Sequence, residues 1–134
     1  MMEKEFVSYE IALRLKELGF NESCFGYYNN MGNYLEDSGK ANHNCNKPGM
    51  NGRYCTAPLR QQVFKWFRDN NSLYSEILLD KTTYPKYAYE ISLYSDFGNY
   101  EKLNGEFFLY SNYEEAEIVC IDRLIEIVKG KNGK

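Results

Sequence analysis

Apolar residues recur at helical spacing in three parts of the chain. Ile11, Leu15 and Leu18 fall at i, i+4 and i+7 behind Ser8, a good N-cap, with Glu10 in the first turn where the helix dipole favours an anion. Gly19-Phe20 then reads as a Schellman stop: glycine takes the left-handed position and Phe20 folds back toward Leu15. A second helix is predicted from Thr56-Ala-Pro-Leu59, with Thr56 as cap and Pro58 in the first turn, where its missing N–H has no partner to lose. Its apolar stripe is Leu59, Val63, Trp66 and Phe67, and Asn70-Asn71 ends it. The third helix opens with Asn112 as cap and Glu115 at N3, the pattern of a capping box. Its apolar residues, Ala116, Ile118, Val119, Cys120, Ile121, Leu124, Ile125, Ile127 and Val128, form an arc wide enough to lie across a sheet as the centre of the core. Gly130 to Lys134 reads as a frayed basic tail.

Alternation with a period of two predicts strands at Leu73–Leu79, Tyr87–Tyr94 and Glu106–Tyr110. The second is the clearest, with Tyr87, Tyr89, Ile91 and Leu93 set against Ala88, Glu90, Ser92 and Tyr94. The connections are short and rich in turn residues, which implies antiparallel neighbours, since parallel strands need longer crossovers. Cys24 to Tyr28 is a further short aromatic run with strand character. From Asn29 to Arg53 no apolar period survives: seven Asn, four Gly and Pro48 interrupt it. Such a stretch reads as an irregular surface insertion, with room for a loose hairpin, inside one domain spanning residues 1–134. The expected fold is therefore α+β and two-layered: a three-stranded antiparallel meander packed by helices, in the order α-loop-α-β-β-β-α.

Composition narrows the function classes. Thirteen Tyr, eight Phe and one Trp are too many aromatics for a disordered chain. No apolar run approaches the roughly 20 residues of a membrane-spanning helix, and Met1 to Tyr9 lacks the apolar core of a secretory signal. A cytoplasmic location and free thiols at Cys24, Cys45, Cys55 and Cys120 are expected on that basis. The formal net charge of −3 disfavours a protein that coats nucleic acid, because phosphate contacts supply most of such affinity. The order α-β-β-β-α is that of a double-stranded RNA-binding domain, but Tyr113-Glu-Glu-Ala-Glu117 stands where that module carries phosphate-gripping lysines.

Few residues are candidates for chemistry. The single histidine, His43, sits in the Asn/Gly stretch beside no catalytic motif. Cys24, His43, Cys45 and Cys55 are candidate zinc ligands by type, but their spacing matches no standard knuckle. No glycine-rich loop opens a helix after a strand. The sequence thus commits to no catalytic residue, no metal ligand and no cofactor. Two candidate binding surfaces remain. Arg53, Arg60, Lys65 and Arg68, with Tyr54 and Trp66 nearby in sequence, form a local basic patch suited to bases or an anionic partner. Tyr27, Tyr28 and Tyr34 offer rigid contact area of the kind enriched in recognition surfaces.

Three segments carry a resemblance: Phe6-Val-Ser-Tyr-Glu-Ile-Ala-Leu13 through Cys24-Phe-Gly-Tyr-Tyr28; Thr56-Ala-Pro-Leu-Arg-Gln-Gln-Val63 with Trp66-Phe67-Arg68; and Tyr113-Glu-Glu-Ala-Glu117 through Ile125-Glu-Ile-Val128. Together they resemble a family of small uncharacterised proteins encoded by phages and prophages. That likeness implies an accessory phage protein, made in the bacterial cytoplasm or carried in the virion, and it assigns no site residues. The resulting expectation is a non-enzymatic binding module that sequesters or inhibits a host protein or a small ligand, possible counter-defence included. The alternatives are nucleic-acid binding through the basic patch and a structural role in the virion.

Overall fold

A computed structural model describes residues 5–36, 44, 46, 54–81, 86–95, 99–103 and 109–132. The fold is α+β, with three helices and two three-stranded antiparallel sheets among the described residues. The chain divides into two compact units, Met1–Gln62 and Val63–Lys134.

The first unit holds α1 (Tyr9–Glu17), β1 (Gly26–Tyr28), β2 (Tyr34–Glu36) and β3 (Cys55–Ala57). The caps of α1 are those its sequence specifies. Ser8 Oγ accepts from the Ile11 N–H at 3.3 Å. At the other end the Gly19 N–H donates to Lys16 and the Phe20 N–H to Leu15, at 3.1 and 3.0 Å, with Gly19 at φ 100°. This is a complete Schellman motif. The strands run in the order β2-β1-β3, and α1 packs against β3. Phe6, Ile11, Ala12, Leu15, Phe20, Cys24, Tyr28 and Cys55 are buried in this unit.

The Asn29–Arg53 stretch, read with room for a loose hairpin, contributes β2, which pairs with β1 from Gly26↔Glu36 to Tyr28↔Tyr34; most of the rest of it lies outside the described residues. One expectation is corrected here. The helix expected from Thr56 begins instead at Arg60, as α2 (Arg60–Asn71). Cys55–Ala57 are extended and pair with β1. A residue before proline is pushed out of the α region, so Ala57-Pro58 keeps the chain extended. The Pro58 carbonyl then accepts from the Val7 N–H at 3.0 Å, and Leu59 bridges Phe6.

In the second unit the residues of α2 lead through Ser72, at φ 56°, into β4 (Leu73–Asp80), β5 (Lys86–Tyr94) and β6 (Tyr100–Lys102), and the chain ends in α3 (Tyr113–Asn132). The strand order is β4-β5-β6. The third strand described in this sheet is β6, earlier in the chain than the expected Glu106–Tyr110. The Ser95 N–H donates to the Asn99 carbonyl at 2.8 Å, and β6 pairs with β5 from Tyr94↔Tyr100 to Ser92↔Lys102. Of the expected segment, residues 106–108 lie outside the described residues, and Tyr110 makes a single bridge to Tyr87.

Helix α3 packs on β4 and β5. Its cap is the expected one: Asn112 Oδ1 accepts from the Glu115 N–H at 2.7 Å. Ala116, Cys120, Ile121, Leu124, Ile125 and Val128 are buried, while Ile118 is 49% exposed, so the buried stripe is narrower than the sequence implies. The expected tail is also corrected, since the helix runs on through Gly130 to Asn132.

Candidate functional site

Antiparallel pairing decides which side chains share a face, because residues directly opposite one another point the same way. In the second unit, Leu73↔Leu93, Ser75↔Ile91, Ile77↔Tyr89 and Leu79↔Tyr87 line one face. This is the face α3 covers, as shown by the edge-to-face contact of Tyr87 with Tyr113, ring centroids 5.8 Å apart. The opposite face carries Tyr74↔Ser92 and Glu76↔Glu90 from β4 and β5, continued by Ser92↔Lys102 and Tyr94↔Tyr100 into β6.

These residues enclose an open hollow of about 450 Å³, lined by Tyr74, Glu76, Glu90, Ser92, Tyr94 and Tyr100 together with Ser75. Its aromatic wall is continuous. Tyr74 meets Tyr94 edge-to-face at 4.8 Å, and Tyr94 stacks on Tyr100 at 5.4 Å with an interplanar angle of 28°. All three rings remain open to solvent, at 44, 41 and 63% exposure for Tyr74, Tyr94 and Tyr100.

The floor is charged. Glu76 and Glu90 stand directly opposite each other, an arrangement that costs stability because like charges repel across the strands. Lys102 reaches Glu90, with Nζ 2.6 Å from Oε1, and that hydrogen bond to the carboxylate holds the ammonium above its ordinary pKa. Glu76 has no ion-pair partner among the described residues. Among the described residues two carboxylates face one lysine here, an excess of negative charge against a wall of tyrosine rings.

The residues singled out from sequence are placed elsewhere, in three different settings. Tyr28 is buried, and its hydroxyl donates to the Val7 carbonyl at 2.6 Å. It joins Tyr9, Tyr34 and Phe6 in an aromatic cluster, with centroids 4.8 to 5.9 Å apart. Tyr27 points the other way along β1 and meets Tyr54 edge-to-face at 5.5 Å. Tyr54 is 38% exposed, and its carbonyl accepts from Lys16 Nζ at 3.0 Å. Of the basic residues described, Arg60 is 4% exposed and lies 3.4 Å from Glu5, while Lys65 is exposed and pairs with Asp69 at 2.6 Å. Arg68 is half-buried, and Trp66 is buried against Phe67. Arg53, His43 and Cys45 lie outside the described residues.

Three of the four cysteines fall among the described residues. Cys24, Cys55 and Cys120 are buried and free, and burial pushes Cys24 and Cys120 up to about 12, where almost no thiolate exists at neutral pH. Among the described residues no group of three or more His, Cys, Asp or Glu could hold a metal ion, and no helix is long and apolar enough to cross a membrane.

The hollow was only half legible in the sequence. Glu90, Ser92 and Tyr94 are visible as one side of the alternating β5 segment. Their company comes from Tyr74 and Glu76 on β4 and Tyr100 on β6, fixed by register. No family model matches the chain, and neither the curated proteins nor the solved structures hold a match to it.

Proposed function

We propose that this protein acts by recognition without catalysis, and that its binding surface is the part of the second sheet's face opposite α3 where Tyr74, Glu76, Glu90, Tyr94 and Tyr100 meet. One observation carries the reading: three partly exposed tyrosines and two facing glutamates line a single hollow on a rigid strand scaffold. Ligand sites are concave, with a few polar groups set among aromatic side chains, and tyrosine supplies contact area at low entropic cost. The buried, strongly protonated thiols support a role other than covalent chemistry. The nucleic-acid alternative draws less support, because Arg60 is buried and the hollow is negative. In the setting implied by the phage resemblance, the role is that of an accessory protein that occupies a host protein in the bacterial cytoplasm.

Native mass spectrometry of protein purified from its producing cell tests the reading. A partner or ligand is expected to co-purify with the wild type and to be lost from Tyr94→Ala while the fold is retained by circular dichroism. Retention of the same partner by Tyr94→Ala would move the binding surface elsewhere, and turnover of a co-purified substrate would end the non-catalytic reading.

A further inference from the structure

The chemistry of this hollow selects its ligand, and we infer that it binds an arginine side chain presented by a basic segment of a partner protein. The assignment deepens the recognition reading above and rests on it. Glu76 and Glu90 are directly opposite on neighbouring strands, which sets their Cβ atoms about 5 Å apart. Lys102 engages one of them, which leaves carboxylate oxygens available to a second cation. Tyr74, Tyr94 and Tyr100 form the adjoining wall.

A positive charge is attracted to the negative face of an aromatic ring. Guanidinium meets both parts of the site at once: its planar fork matches a carboxylate through two parallel hydrogen bonds, and its plane stacks on tyrosine. An ammonium is a point charge with a stronger hold on its water and uses only part of that geometry. The exposure of the rings decides how the cation arrives. Sites for small molecules bury most of the ligand's surface, whereas Tyr74, Tyr94 and Tyr100 are 44, 41 and 63% exposed along an open face. A ligand seated there keeps one side uncovered, as a side chain does when its backbone belongs to another protein.

A matched pair of peptides tests this: a short Gly/Ser peptide bearing two arginines, and its counterpart with citrulline, which keeps the shape and loses the charge. Binding is followed by NMR shift changes in the full-length protein at low salt. The arginine peptide is expected to bind at least tenfold more tightly, with the largest shifts at Glu76, Glu90 and Tyr94. Glu76→Gln should weaken it at least fivefold, and Lys102→Gln should strengthen it at least twofold by releasing the Glu90 carboxylate. A variant that merely loosened the fold would not gain affinity, so Lys102→Gln separates recognition from damage. Equal affinity for the two peptides, or shifts confined to other residues, would overturn the assignment. Spermidine binding as tightly as the arginine peptide at these residues would overturn it too, in favour of a free amine. Should the arginine peptide fail while a partner is still lost from Tyr94→Ala, the cation assignment falls and the recognition reading stands.

Discussion

The ring of Tyr34 lies over the bare Cα of Gly26, its diagonal neighbour across the β1–β2 pair. A Cβ on Gly26 would land on the Tyr34 ring and hydroxyl, so the glycine serves here for close approach rather than for an unusual φ. The same ring meets Phe6 in a tilted contact, centroids 4.8 Å apart. Gly26→Ala is therefore expected to destabilise the fold by about 1–3 kcal/mol. In a Tyr34→Ala background the added cost should shrink to about 0.5 kcal/mol or less. Urea denaturation of the four proteins in this cycle decides it, and equal costs in both backgrounds would exclude the ring as the obstacle.

Tyr28 has a structural task that its sequence position does not reveal. Its buried hydroxyl donates to the Val7 carbonyl, tying β1 to the segment that enters α1. Tyr28→Phe removes the donor, leaves that carbonyl short of a partner, and should cost about 1–2 kcal/mol. Its effect on partner binding should be negligible, so stability measurements and the native mass spectrum together distinguish this role from direct contact.

Gly130 sits inside α3 with nothing within 4 Å of where a Cβ would stand. An unhindered glycine in a helix is less favourable than alanine by about 0.8–1 kcal/mol, so Gly130→Ala should stabilise the protein by a similar amount. A midpoint of denaturation that fails to rise would mean the last turn is not helical in solution. The frayed tail read from the sequence would make the substitution neutral.

The buried thiols set an alkaline limit. Cys24 and Cys120 move from the usual 9.0 to about 12 on folding. Below pH 9 both are protonated whether the chain is folded or not, and their contribution to stability is fully present. Between 9 and 12 the unfolded chain sheds protons that the folded one keeps, so stability falls as pH rises, by at most about 1.4 kcal/mol per pH unit for each thiol. Cys120→Ala should flatten that decline. Iodoacetamide at about pH 8 should leave Cys24 and Cys120 unmodified until denaturant is added, which peptide mapping can read residue by residue.

Glu76→Gln should act in opposite directions on folding and on binding. Removing one of two facing carboxylates relieves repulsion and should stabilise the sheet by about 0.2–1 kcal/mol, while weakening the hold on an arginine peptide. Loss of both stability and affinity would show that Glu76 supports the strand rather than the ligand.

Features built from neighbouring residues were open to sequence reading, and features built from register were not. Ser8, Gly19-Phe20 and Asn112 declare their helix ends because a cap needs only residues three to five apart. Leu73–Asp80 and Lys86–Tyr94 are long enough for alternation to show. By contrast β1, β2 and β3 have three residues each, too few for a period of two to stand out. The candidate site needed β4, β5 and β6 aligned before its members became neighbours, and Tyr28, one of the tyrosines expected to make contacts, is buried.

Glu76 facing Glu90 has a further effect on company. Were two copies of this chain to stack through that face, four carboxylates would crowd against two lysines, and the copies would repel. An arginine-bearing partner would meet no such repulsion at the same carboxylates, so self-association and partner binding would respond in opposite directions to added salt.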